Sequence, residues 1–212
     1  VRQLTIKRST LNINPAQGDL VTTPDSGIGY VAGVSYEMPE IALKVLLTQA
    51  PGIDIVVPTT VVGSGTVSQP SFTTLEFETG IANNTLMFGS IHQGEHASAQ
   101  VKLNGIGAIS SFTDGEKYNI GVGRKFSEKL SGSFSYTTEE GSSATGTSLL
   151  SPTNGTDTYS IGVNYVTESV DVAFGYAMSS FGDKAVTTAY GTGNFTNNDA
   201  TTTGLRVKFK LP

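Results

Sequence analysis

The sequence predicts an all-β chain: an antiparallel, up-and-down transmembrane β-barrel of about ten strands. Three observations predict it. Large apolar residues recur at every second position along several stretches, and the residues between them are small or polar, the period of a strand with two different faces. Connections alternate between short turns and long loops, which gathers all short turns at one end of the strands, as in outer-membrane barrels. Charged residues make up only 15% of the chain, against about 25% in a typical soluble domain, so large surfaces are expected to face something other than water. No apolar run reaches the roughly 20 residues of a transmembrane helix; a chain that spans a membrane this way must do so as closed strands, which satisfy the backbone in lipid.

In chain order, Val1 to Lys7 is a candidate first strand, and Ser9 to Ser26, with Pro15, Gly18, Pro24 and Asp25, reads as a loop. Gly27 to Tyr36 alternates Ile28, Tyr30, Ala32, Val34 and Tyr36 against Gly29, Val31, Gly33 and Ser35. Met38-Pro39 turns the chain, because proline cannot donate to a ladder. Ile41 to Thr48 returns with Ile41, Leu43, Val45 and Leu47 on one face. Ala50 to Gln69 reads as a long loop, whose Val56, Val57, Val61 and Val62 suggest packing over a barrel mouth. Phe72 to Ile81 and Leu86 to Ile91 flank a tight Asn83-Asn84 turn, where asparagine tolerates positive φ.

Gln93 to Gly115 reads as a loop with a short strand around Val101 to Leu103. Tyr118 to Phe126 and Leu130 to Tyr136 form a hairpin about Ser127-Glu128-Lys129, and a Gly/Ser/Thr loop runs from Glu139 to Thr156. Asp157 to Ser180 is the clearest hairpin: Tyr159, Ile161, Val163 and Tyr165, a turn at Thr167–Ser169, then Val170, Val172, Phe174, Tyr176 and Met178. Gly182 to Asn198 is a polar loop. The last strand sets Thr203, Leu205, Val207, Phe209 and Leu211 against Gly204, Arg206, Lys208 and Lys210.

Several motifs resemble a known family. Gly29 to Val45, Phe77 to Ser90, Asn119 to Gly132 and Leu150 to Gly155 resemble, in order, the FadL-type (OMPP1/FadL/TodX) outer-membrane transporters. The resemblance covers most of Gly27 to Leu211. It implies a bacterial outer-membrane barrel that carries long-chain fatty acids or other hydrophobic molecules passively, with outer-membrane lipid and a hydrophobic small molecule as partners. The family's N-terminal hatch has no counterpart here. Residues 1–212 are therefore expected to form a single β-barrel domain, the C-terminal portion of a larger barrel. At His92-Gln93-Gly94-Glu95-His96 the chain departs from the aromatic residues usual in the family, and the Leu211-Pro212 end departs from the usual terminal aromatic.

Lys44, Glu76, Glu78, Arg206 and Lys208 share the polar phase and are the candidate lumen-facing ligand contacts, with Lys210 beside them. They are expected to pair across the lumen or to meet a carboxylate. Arg124 lies on the apolar phase near a turn, where it can snorkel to headgroups. Tyr118, Phe126, Tyr159, Tyr165, Phe174 and Tyr176 suit aromatic girdles. His92, Glu95 and His96 carry metal-ligand chemistry, but the spacing is not His-Glu-x-x-His and the default is solvated loop residues. Gly105-Ile106-Gly107 and Gly121-Val122-Gly123 lack the strand–loop–helix setting of a phosphate site. No nucleophile–base pair is visible, so no catalytic residue, metal or cofactor is assigned and the chain is read as a non-enzyme. A net charge of −5 without a basic cluster argues against nucleic acid, and absence of cysteine removes thiol chemistry. The rival reading, favoured by the absence of tryptophan, is a structural or self-assembling β protein whose apolar faces are protein–protein interfaces.

Overall fold

The computed structural model describes residues 2–7, 10–14, 18–60, 63–110, 112–142, 154–188 and 191–209. Val61, Val62, Leu150 to Thr153 and Lys210 to Pro212 lie outside them.

The strands are β1 (Arg2–Ile6), β2 (Thr10–Asn14), β3 (Gly18–Val21), β4 (Asp25–Gly29), β5 (Ala32–Met38), β6 (Leu43–Ala50), β7 (Ile53–Thr59), β8 (Gly63–Gln69), β9 (Phe72–Ala82) and β10 (Thr85–Gly94). After them come β11 (Lys102–Leu103), β12 (Gly107–Ala108), β13 (Gly115–Lys125), β14 (Leu130–Glu139), β15 (Thr156–Val166), β16 (Val170–Phe181), β17 (Lys184–Thr188), β18 (Gly191–Phe195) and β19 (Asn198–Phe209). Nine of them form one antiparallel wall, in the order β5-β6-β9-β10-β13-β14-β15-β16-β19. Each wall strand pairs with its neighbour in sequence, so the wall is an up-and-down meander. Its edges, β5 and β19, are not paired with each other, and the wall is open.

The wall explains the sequence pattern. Its two faces alternate strictly, because side chains leave a strand on opposite sides. One face carries Val34, Phe134, Ile161 and Leu205 at 67%, 47%, 47% and 69% exposure. Among the described residues no second sheet covers these side chains. Three of the four short turns fall where the sequence places them; the first lies at Pro39–Ile41 and Ala42, because Glu37 and Met38 still belong to β5 and Ile41 to the turn. Ala42 closes the Pro39–Ile41 turn at φ 50°, and Asn84 sits at φ 58°, a left-handed conformation that asparagine adopts readily.

The register of the wall shows how the apolar band runs across it. One row across the sheet reads Leu47, Leu75, Ile91, Tyr118, Thr138, Asp157, Ser180, Asp199. It starts apolar and ends polar. On β19 apolar residues resume only at Leu205, six residues past Asp199, so the band has slid six residues over seven strand steps. At about 3.3 Å per residue and about 4.8 Å between strands, that is roughly 20 Å over roughly 34 Å, an inclination of about 30°. The short turns step down the same way, from Met38 on β5 to Val166 on β15. Strands of a membrane barrel cross the bilayer tilted by about 35–45°, and a flat apolar slab cutting tilted strands leaves this drift. An interface between aligned sheets would not.

Five sequence expectations are corrected. The first strand, β1, pairs with β4 rather than joining the wall. Gly27 to Tyr36 is two strands, since the chain leaves the β1–β4 pair and enters the wall across Tyr30-Val31. Within Ser9 to Ser26 and Gly182 to Asn198, β2 pairs with β3 and β17 with β18. Ala50 to Gln69 is no loop: β7 and β8 form a hairpin. Ile53, Ile55 and Val57 alternate inward at 5%, 3% and 1% exposure and pack on Leu4, Ile6 and Val67, while Val56 points out. Gly27 and Gly29 have no side chain because Ile53 occupies the space a Cβ would need. The compact hydrophobic core of the described residues thus lies in this cap at the long-loop end, outside the wall.

The short strand expected around Val101 to Leu103 is β11, which adds to β8 and joins two long connections in one four-stranded sheet. Gln100 fixes its base. Its amide donates to Phe112 O at 2.7 Å, and its carbonyl accepts from Ser110 Oγ at 2.7 Å and Phe112 N at 3.0 Å. Ser110 is buried, so Gln100→Ala strands polar groups, at a cost of about 1–3 kcal/mol each. Amide exchange should quicken over residues 96–112 and stay unchanged in β15 and β16; unchanged exchange in the loop would contradict this account of its order.

Candidate functional site

The polar face of the wall has two parts. On β13 to β19 it is almost free of large side chains. Gly123, Ser133, Gly162, Gly175 and Gly204 stand in one register row across five strands. A Cβ at Gly175 or Gly204 would meet nothing within 4 Å, so this row widens the space beside the wall instead of seating a neighbour. A second row is hydroxyl and amide: Asn119 Nδ2 donates to Thr137 Oγ1 at 2.7 Å, and Thr158 and Ser179 share a 2.8 Å bond. Near the short turns, a recess of about 850 Å³ runs along this face past Asn164 and Arg206.

On β6, β9 and β10 the polar face is mixed. Lys44 stands opposite Glu78, Leu46 opposite Glu76, Glu78 opposite Phe88, and Glu76 opposite Ser90. Lys44, Leu46, Glu76, Glu78, Phe88, Ser90 and Asn119 line a groove of about 350 Å³. The Phe88 ring lies across Gly121, where a Cβ would collide with it.

The five candidate ligand contacts all lie on this face, in two groups. Lys44, Glu76 and Glu78 come together on adjacent strands. Arg206 and Lys208 sit on the edge strand β19, opposite Ala173 and Asp171. Lys44 Nζ pairs with Glu37 at 3.3 Å and Arg206 with Asp171 at 4.0 Å, and among the described residues no ion pair joins the groups. Both pairs are solvated at one or both ends, where such contacts contribute about 0–1 kcal/mol. Arg124 sits on the apolar face beside the Ser127–Lys129 turn, opposite Thr85 and Gly132.

His92, Glu95 and His96 diverge. His92 bonds Thr74 Oγ1 through Nδ1 at 2.7 Å and stacks on Phe72 with centroids 5.0 Å apart. His96 meets the same ring edge-on at 5.7 Å, with the Arg2 guanidinium 5.7 Å from its centroid. Glu95 accepts from the Ser71 hydroxyl. Among the described residues no three metal-ligating side chains converge.

Sequence reasoning missed Leu46 and Phe88, which put apolar surface on the polar face. The signal was present: Val45-Leu46-Leu47 and Leu86-Met87-Phe88 are apolar in both phases, where the rest of the wall alternates.

No protein-family model matches the chain, and no curated protein matches it. Solved structures do. A Pseudomonas aeruginosa FadL homologue superposes with a TM-score of 0.67 over 89% of this chain and 52% of its own, at 10% identity. The chain has the fold of the FadL-type channels. A second FadL-like match, the CymD monoaromatic hydrocarbon channel, gives a TM-score of 0.57 over 96% of this chain and 56% of its own, at 13% identity. The chain spans about half the length of these solved channels.

Proposed function

We propose that the chain is part of the wall of a bacterial outer-membrane channel that passes hydrophobic small molecules, long-chain fatty acids among them, without making or breaking bonds. The observation that carries this reading is the inclined apolar band on an open meander, which fits outer-membrane lipid as the partner of that face. The hydrocarbon channel and the FadL homologue among the structural matches support the class of cargo.

Residues 1–212 act, on this reading, as one unit of a larger barrel, its C-terminal portion. Eight antiparallel steps separate β5 from β19, so both edges run from the long-loop end to the short-turn end. Pairing them directly, or with a second copy in the same orientation, makes a parallel seam. An odd number of further strands restores antiparallel pairing throughout. Closure matters because each unpaired backbone group in hydrocarbon costs several kcal/mol, roughly.

The test is uptake of radiolabelled oleate and toluene by a Gram-negative host stripped of its own hydrophobic-compound channels. Expression of the chain together with its completing strands is expected to raise the initial rate several-fold. A rate equal to the empty host's, with the folded protein present in the outer membrane, would overturn the proposal.

A further inference from the structure

The groove on β6, β9 and β10 says more about the cargo, on the premise that the wall encloses a conduit. Leu46 and Phe88 are the large apolar side chains in it, and Phe88 is held flat over Gly121. Around them stand Glu76, Glu78, Ser90 and Asn119. The nearby cation, Lys44, is already engaged by Glu37 at 3.3 Å. Glu76 and Glu78 are in no ion pair among the described residues. An anionic head placed here would meet two carboxylates against one cation, Lys44, which Glu37 already contacts, and an excess of like charge at close range disfavours binding. A bare hydrocarbon would cover the carboxylates and give them no donor in exchange for water. A hydroxyl group satisfies both demands, because it can donate to a glutamate and accept from Ser90.

We propose that this groove is a binding site for neutral amphiphiles, an alcohol or phenol on an alkyl or aryl body, and that it selects against carboxylates. The body lies on Leu46 and Phe88. The hydroxyl donates to Glu76 or Glu78. This deepens the proposed function.

The test uses three probes at pH 7.5 in the same uptake host: 1-dodecanol, dodecanoate and dodecane, each corrected for the empty host. The expected result is 1-dodecanol crossing about tenfold faster than dodecanoate and faster than dodecane, a ratio typical of one desolvated charge clash or unmet donor. The paired substitution Glu76→Gln with Glu78→Gln removes the repulsion and should bring dodecanoate to within about threefold. Ser90→Ala, which leaves the charge intact, should slow 1-dodecanol about threefold and leave dodecanoate unchanged. Dodecanoate crossing as fast as 1-dodecanol, or a ratio unmoved by the paired substitution, overturns the selectivity and leaves the conduit standing. If none of the probes crosses faster than in the empty host, the conduit reading fails and this site with it.

Discussion

Ile161→Arg is expected to destabilise the chain folded in a bilayer by about 2–4 kcal/mol, while Ser160→Arg, one residue away, costs about 1 kcal/mol or less. The two positions differ only in face. Ile161 sits between Phe134 and Tyr176 in the middle of the apolar band; Ser160 sits between Ser135 and Ala177 on the opposite, small and polar face. Arginine at Ile161 enters hydrocarbon, whereas at Ser160 it enters a space lined by small residues and water. Tyr159→Arg lies nearer the polar boundary marked by Asp157 and should cost only about 0–1 kcal/mol, because the penalty falls with distance from the bilayer midplane. Urea titrations of folding into lipid vesicles measure all three. A graded cost along β15 is a signature of lipid. A buried protein–protein interface would penalise Tyr159 and Ile161 alike, and that outcome would favour the self-assembling reading.

Ile55→Ala should cost about 2–4 kcal/mol, the usual range for emptying a buried isoleucine site, and the loss should stay local. Ile55 is 3% exposed in a cluster formed by the cap alone. The wall depends instead on its ladders and on what covers its apolar face. Limited proteolysis is therefore expected to cut within residues 50–69 of the variant while the wall strands stay protected. Val56→Ala, at an exposed position of the same strand, should move stability by no more than about 0.5 kcal/mol. Cleavage of the wall strands as well in Ile55→Ala would mean that cap and wall fold as one unit.

The wall was legible because its code is local. Alternation in β13 to β16 and turn residues such as Asn83-Asn84 can be read without knowing which strands pair. The cap was not legible. Ile53, Ile55 and Val57 alternate as a strand does, but Pro58 in β7 and the glycines of β8 looked like punctuation, and the partners that bury these residues lie some 50 positions earlier, at Leu4 and Ile6. The drift of the apolar band was equally hidden, since it exists only once Asp157 is known to face Thr138 and Ser180. For the candidate site, period two put Lys44, Glu76, Glu78, Arg206 and Lys208 on one face. It could not show that Lys44 is taken by Glu37 on the next strand, or that Phe88 crosses to Gly121.

The central claim is that one face of the wall meets lipid and the other water, and single-site labelling tests it most directly. The chain has no cysteine, so a cysteine introduced at any position carries the only label. Fluorophores at Phe134→Cys, Ile161→Cys, Val163→Cys and Leu205→Cys should be quenched by brominated lipid. Those at Ser133→Cys, Ser160→Cys, Gly162→Cys and Gly204→Cys should be quenched only by a soluble quencher. Alternation with period two, its midpoint shifting along the register rows together with the short turns from β6 to β19, is the predicted result. Labels on the apolar face that neither quencher reaches, or that the soluble quencher reaches as readily as it does the other face, would contradict it.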